Sequence, residues 1–171
     1  MFASKELETA FNRQIGRELG ASSQYLAIGA YFATEALSEL SEHFFRQAGE
    51  EHEHAMKFVR FLIDAGARVR IPSVPEPQAD FTSAEEAVKL SVDWEETVTK
   101  QIYELVEIAK KESNYVAMRF LDWFVTEQLE EVSSMSELLQ VVRRAGEDDL
   151  LHVEEYLARR KPEGSGAQGE E

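Results

Sequence analysis

Glu51 and His54 stand three residues apart inside Gly49-Glu50-Glu51-His52-Glu53-His54-Ala55-Met56, a spacing that stacks two side chains a turn apart on one helix face. That face is otherwise apolar, carrying Leu40, Phe44, Phe58, Phe61 and Ala65. A carboxylate and an imidazole set among core side chains cost several kcal/mol unless something compensates them. A metal ion compensates both at once, because it takes the two groups deprotonated and aimed at one point; the other reading is a hydrogen-bonded pair that fixes helix register. Three further segments each carry a polar residue at the middle of an apolar stripe: Glu18, Glu95, and Gln128 with Glu131. In an aligned bundle these midpoints share one layer, which predicts a buried carboxylate cluster with one histidine. Ionised carboxylates so close repel strongly in a low-dielectric core, so they share protons or bind cations. Oxygen donors with one nitrogen suit iron or manganese, and zinc as well. Glu51 is placed to bridge two ions, with Glu18 and His54 completing one and Glu95 the other.

Four long helices are needed to position these groups, and the hydrophobic periodicity supplies them. The first is expected from the N-cap Ser4 to about Thr34, with the stripe Leu7, Phe11, Ile15, Glu18, Ser22, Tyr25, Gly29, Phe32. The second runs from Ser38 to a stop at Gly66, through Leu40, Phe44, Gln47, Glu51, His54, Phe58, Phe61 and Ala65. Residues 67–81 contain Pro72, Pro75 and Pro77 and cannot be helical. Extended, they span roughly 50 Å, enough to run the whole length of a bundle and leave helices two and three parallel. Thr82 and Glu85 have capping-box spacing and open the third helix, which ends near Lys111. The fourth is expected over Tyr115 to Ala145, ended by Gly146, and Asp148 to Arg160 as a short fifth. The expectation is an all-α four-helix bundle over residues 1–146, a short C-terminal helix over 147–160, and a disordered tail over 161–171.

Composition narrows the function classes. Thirty-three acidic residues against eighteen Lys and Arg give a net charge of −15, which disfavours nucleic acid as a partner and favours cations. The absence of cysteine excludes disulfides, thiolate metal sites and cysteine nucleophiles, and suits a reducing cytoplasm. No stretch reads as a membrane span, and Met1-Phe2-Ala3-Ser4-Lys5-Glu6 lacks the basic-then-apolar pattern of a signal peptide.

One glutamate from each of two helices, with Glu-x-x-His from each of the other two, is the ligand pattern of ferritin-like di-iron bundles. Here Glu51-x-x-His54 is intact and Gln128-x-x-Glu131 stands where its partner would be. With Tyr25 seven residues after Glu18, Val98-Thr99-Lys100 after Glu95, and Trp123-Phe124-Val125-Thr126-Glu127-Gln128-Leu129-Glu130-Glu131, the chain resembles the non-haem ferritins of bacteria and archaea over about residues 5–160. That resemblance implies a ferroxidase that oxidises Fe(II) with dioxygen or peroxide and stores Fe(III) as mineral inside a homo-oligomeric cage, commonly of twenty-four subunits. It implies a first iron on Glu18, Glu51 and His54, a second on Glu51 and Glu95, and Gln128 beside them near the dioxygen position. Glu50, Glu127, Glu130 and Glu131 match a third, weaker iron site leading inward, and Tyr25 matches an electron donor or hydrogen-bond partner of the centre. His52, about 100° around the helix from Glu51, follows that glutamate where the related bacterioferritins place a haem-ligating methionine. Haem is not expected at His52, but the sequence leaves it open. The rival readings are a rubrerythrin-like or other di-iron oxidase or peroxidase without storage, a haem-containing bacterioferritin, and a non-catalytic helical interaction protein. His43 and His152 are read as structural, Trp94 and Trp123 as packing.

Overall fold

The computed structural model describes residues 3–160; the tail expected to be disordered, 161–171, lies outside the described residues. Five helices follow one another: α1 (Lys5–Thr34), α2 (Ser38–Asp64), α3 (Ala84–Lys111), α4 (Tyr115–Ala145) and α5 (Leu150–Arg160). A single 3₁₀ turn, Glu147–Asp149, leads into α5, so the short helix begins two residues later than its sequence suggests. Ser4 caps α1 through a 3.0 Å bond from the Leu7 amide, and Asn114 caps α4 through the Ala117 amide. Gly66, at φ +70°, ends α2; the Gly66 amide bonds the Ile63 carbonyl and the Ala67 amide the Leu62 carbonyl, the paired bonds of a Schellman motif.

The start of α3 corrects the sequence reading. Ser83, not Thr82, is the N-cap, accepting from the Glu86 amide at 3.0 Å. Glu86 reaches back to the Thr82 amide at 2.7 Å, while Glu85 pairs with Arg143 of α4. Thr82 and Ser83 are both competent caps; with Glu85 drawn to Arg143, Glu86 is the acid that reaches back, and the motif stands one residue later.

The connection 67–81 runs along α1 from one end to the other. The Arg68 carbonyl and the Arg70 amide bond the Asn12 side chain, and the Gln78 backbone bonds both ends of the Gln24 amide. Between these anchors the Pro72 ring lies against Gly16, where an added Cβ would come within 2.8 Å of it. The strap therefore carries the chain from the end of α2 to the far end of the bundle, so that α3 starts parallel to α2, as its length predicts.

The core is two apolar clusters. Tyr25, Ile28, Phe32, Phe44, Val88 and Met135 belong to one; Phe11, Ile15, Phe58, Ile102, Leu121 and Phe124 belong to the other. In each helix the switch from one cluster to the other falls at the polar midpoint of its stripe. The amphipathic stripes thus deliver their midpoints to one layer, and the apolar clusters seal that layer at both ends.

Candidate metal centre

Glu18 of α1, Glu51 and His54 of α2, Glu95 of α3, and Gln128 and Glu131 of α4 are all buried, none more than 5% exposed. Their positions follow from helix periodicity, since each stands in register with apolar residues three or four away. Among the described residues, one ligating atom each from Glu18, Glu51 and His54 lies within 4.8 Å of the others. His54 Nδ1 is 3.1 Å from Glu51 Oε2, while Glu18 Oε2 and Glu51 Oε1 are buried with no hydrogen-bond partner when both groups are ionised. Two carboxylates this deeply buried cannot both stay ionised unaided: they either share a proton, through the side-chain hydrogen bond that links Glu18 and Glu51, or take a cation in its place.

Glu95 completes the layer from α3. It accepts from the Tyr25 hydroxyl and from Gln128 Nε2, at 3.1 Å on Oε2. Gln128 also donates to Thr99 Oγ1 at 3.2 Å, which fixes its amide as a donor to Glu95.

The electrostatics follow from burial. The Glu18 carboxyl is held well above the ordinary carboxylate range by burial and then by the Glu51 charge. Glu51 is raised by burial and by Glu95 and Glu131. Burial also raises Glu95, against the two hydrogen bonds it accepts from Tyr25 and Gln128. Glu131 is pushed up to about 8 by burial, then by Glu95 and Glu50. The Tyr25 hydroxyl is driven well above its usual range by burial and by Glu95, so it stays a protonated donor. A set of acids that hold their protons when empty and lose them to a divalent ion is the behaviour of a metal centre.

A second group forms on the other side of the same imidazole. Glu127 and Glu131 bring ligating atoms within 4.8 Å of His54, with His54 Nε2 3.9 Å from Glu127 Oε1. Glu50 borders this group across a cavity of about 350 Å³ that is also lined by Glu53, Lys57, Trp123 and Glu127. Glu130 is exposed, and neither ligating group among the described residues includes it. His52 is exposed and lies 4.0 Å from Glu53. His43 is largely buried, its ring edge-on to Phe44 at 5.2 Å, and its pKa falls to about 4 through burial and then Arg46 and Arg160. His152 is exposed and paired with Asp149 at 2.6 Å.

Two neighbours of the centre are not singled out by the sequence. Gln14, fully buried, donates to Glu18 Oε1 at 2.8 Å; its spacing of four from Glu18 is the one available signal. Trp123, read as packing alone, stands edge to face against His54 at 5.4 Å with Lys57 over its ring at 4.3 Å, and so walls the imidazole.

Comparison with known proteins gives the same direction. The sequence profile of the ferritin-like domain matches residues 8–145. The chain belongs to the ferritin family. It is 39% identical over 163 residues to ferritin BfrB of Mycolicibacterium smegmatis, covering 93% of this chain and 90% of that protein. It is 36% identical over 145 residues to the bacterial non-heme ferritin of Staphylococcus aureus (strain USA300), covering 85% and 87%. Among solved structures, the open-pore ferritin of the hyperthermophilic archaeon Archaeoglobus fulgidus superposes with a TM-score of 0.89 at 35% identity, over 93% of this chain and 99% of that one. The all-helical architecture, a four-helix bundle with a short fifth helix, is thus the ferritin architecture.

Proposed function

We propose that this ferritin stores iron and is a ferroxidase: it takes up Fe(II) at the Glu18–Glu51–His54–Glu95 layer, oxidises it, and passes Fe(III) inward to a mineral held in a homo-oligomeric cage. The observation that carries the reading is the buried convergence of Glu18, Glu51 and His54, one ligating atom of each within 4.8 Å of the others. Two Fe(II) ions are the substrate pair, the first on Glu18, Glu51 and His54, the second on Glu51 and Glu95 beside Gln128. They supply two electrons to dioxygen or to peroxide. Carboxylates favour the harder Fe(III) product. Gln128 adds no charge, which leaves the second ion the more weakly held and suits turnover rather than a fixed cofactor. Tyr25 holds Glu95 in place through its hydroxyl and is an oxidisable side chain in contact with the centre. Glu127 and Glu131, with Glu50 behind them, form the exit; sharing His54 with the centre makes the transfer a short step. The lack of cysteine is the support for a cytoplasmic setting.

Adding tens of Fe(II) per chain in air tests this. Storage requires continued oxidation with all iron kept soluble in large particles. Uptake that saturates near two ions per chain sinks storage and leaves a di-iron oxidase, and no oxidation above the buffer rate sinks both. Glu51→Ala and His54→Ala are each expected to lower the initial oxidation rate by at least about tenfold. A haem absorption band from protein grown with added haem, lost in His52→Ala, would move the chain to the haem-binding class.

A further inference from the structure

The Glu18 carboxylate is not simply placed by its helix; it is held by a two-step relay that starts outside the centre. Its Oε1 accepts from Gln14 Nε2 at 2.8 Å, and Gln14 in turn accepts on its own Oε1 from Arg17 Nη1 at 3.2 Å. Gln14 is fully buried, while Arg17 is half-buried and lines the groove between α1, the strap and α3. All three residues lie on α1 at spacings of three and four, so the helix itself sets their geometry.

The relay has a direction. A guanidinium only donates, and a carboxylate only accepts. With Glu18 ionised, the form that binds a metal, the turned-over Gln14 amide would set its NH₂ against Arg17 and its oxygen against the Glu18 carboxylate, two repulsive contacts in place of two attractive ones. Arg17 therefore fixes which end of Gln14 faces the centre, and Gln14 occupies one of the two Glu18 oxygens. The remaining oxygen, Oε2, is in that form the buried atom without a partner.

We infer that Gln14 is a positioning residue that makes Glu18 a one-oxygen terminal ligand of the first metal ion, and that Arg17 sets the polarity of this hydrogen bond. Without the Gln14 donor, Glu18 is free to turn toward Glu51 and to chelate with both oxygens. The distinction between a terminal Glu18 and a bridging Glu51 then depends on this amide. The inference rests on the reading of Glu18 as a ligand.

Gln14→Met keeps the length of the side chain and removes the donor; Arg17→Met removes the polarity setter together with a positive charge felt by Glu104 and Glu18, so the titrations are run at high salt, which screens that direct charge effect at the half-buried Arg17. Zn(II), which does not change oxidation state, is titrated calorimetrically into the intact assembled protein. The wild type is expected to show two classes of site per chain. In Gln14→Met the class that depends on Glu18 weakens by about 10–100-fold while the class at Glu51 and Glu95 keeps its affinity. Arg17→Met gives a smaller loss in the same class, and the double variant is no worse than Gln14→Met, because both act on one contact. Unchanged affinities in an assembled Gln14→Met protein overturn the inference, as does an equal loss in both classes, which marks general loosening. Independent, additive losses overturn the relay. If Gln14→Met does not assemble, the half-buried Arg17→Met decides alone, and unchanged binding there is a refutation. A wild type that takes up no Zn(II) at these sites refutes the metal-centre reading itself, a result distinguishable from the others.

Discussion

Protonation at single residues governs the metal-free centre. Glu131 has a folded pKa of about 8 against an ordinary 4.5, so between these values the folded state holds a proton that the unfolded chain has released. Stability from this group is fully present below about pH 4.5 and is lost as pH rises through 8, to a total on the order of 5 kcal/mol. Glu18 and Glu51 shift in the same direction. Thermal melting of the metal-free protein is therefore expected to fall between pH 5 and pH 8. Glu131→Gln flattens that fall, and added divalent metal restores stability most at the high-pH end; a melting temperature rising over this range contradicts the assignment. Tyr25 acts at the same scale. Tyr25→Phe takes away the hydroxyl that Glu95 accepts from, and affinity for the second metal is expected to drop by about tenfold or more in the same calorimetric titration. The first class should be untouched.

Among the elements, the C-terminal segment is tied down by its acids as well as by a small apolar face, Val153 with Leu150 and Leu157. Glu154 of α5 accepts from the Glu39 and Leu40 amides at 2.8 and 2.9 Å, and so caps α2, whose own N-cap residue, Leu37, makes no side-chain cap bond. Glu147 in the 3₁₀ turn accepts from the Ala84 and Glu85 amides at the start of α3. Each carboxylate also meets the positive end of a helix dipole. Glu154→Ala is expected to cost about 1–2 kcal/mol in denaturant unfolding and to raise amide exchange in both α5 and the first turn of α2. Close approach matters equally between α1 and α2. At Gly29 a Cβ would come within 2.6 Å of the Phe45 ring and 3.2 Å of the Ser41 carbonyl, whose own side chain bonds the Gly29 carbonyl. Gly29→Ala should destabilise by about 1–3 kcal/mol, read as a lowered melting temperature with the metal stoichiometry unchanged.

At the scale of the whole molecule, the two apolar clusters isolate a polar layer, and that division turns four amphipathic helices into one metal centre. A cage of twenty-four 19.5-kDa chains would have a mass of about 470 kDa, which light scattering on the purified protein checks directly; a monomer or dimer would remove the storage proposal while leaving the metal site. By itself, the sequence determined the helices, the length of the strap, and the residues meeting at mid-bundle. Periodicity is a local property, and Glu18, Glu51, His54, Glu95, Gln128 and Glu131 each interrupt a local pattern. Contacts whose partners come from distant parts of the chain were decided by tertiary structure alone. Ser83 stands as the cap in place of Thr82 where Glu85 is engaged by Arg143 of α4, and Glu154 and Glu147 became caps only because α5 folds back over α2 and the turn meets α3. Trp123 became a wall of the centre through the packing of α4 on α2. Gln14 stands a turn from both Arg17 and Glu18 on one helix, so the direction of its amide follows from local spacing and residue chemistry. Tertiary structure decided that this amide is wholly buried beside the centre, with Arg17 in the groove next to the strap, because only the packed bundle removes it from water.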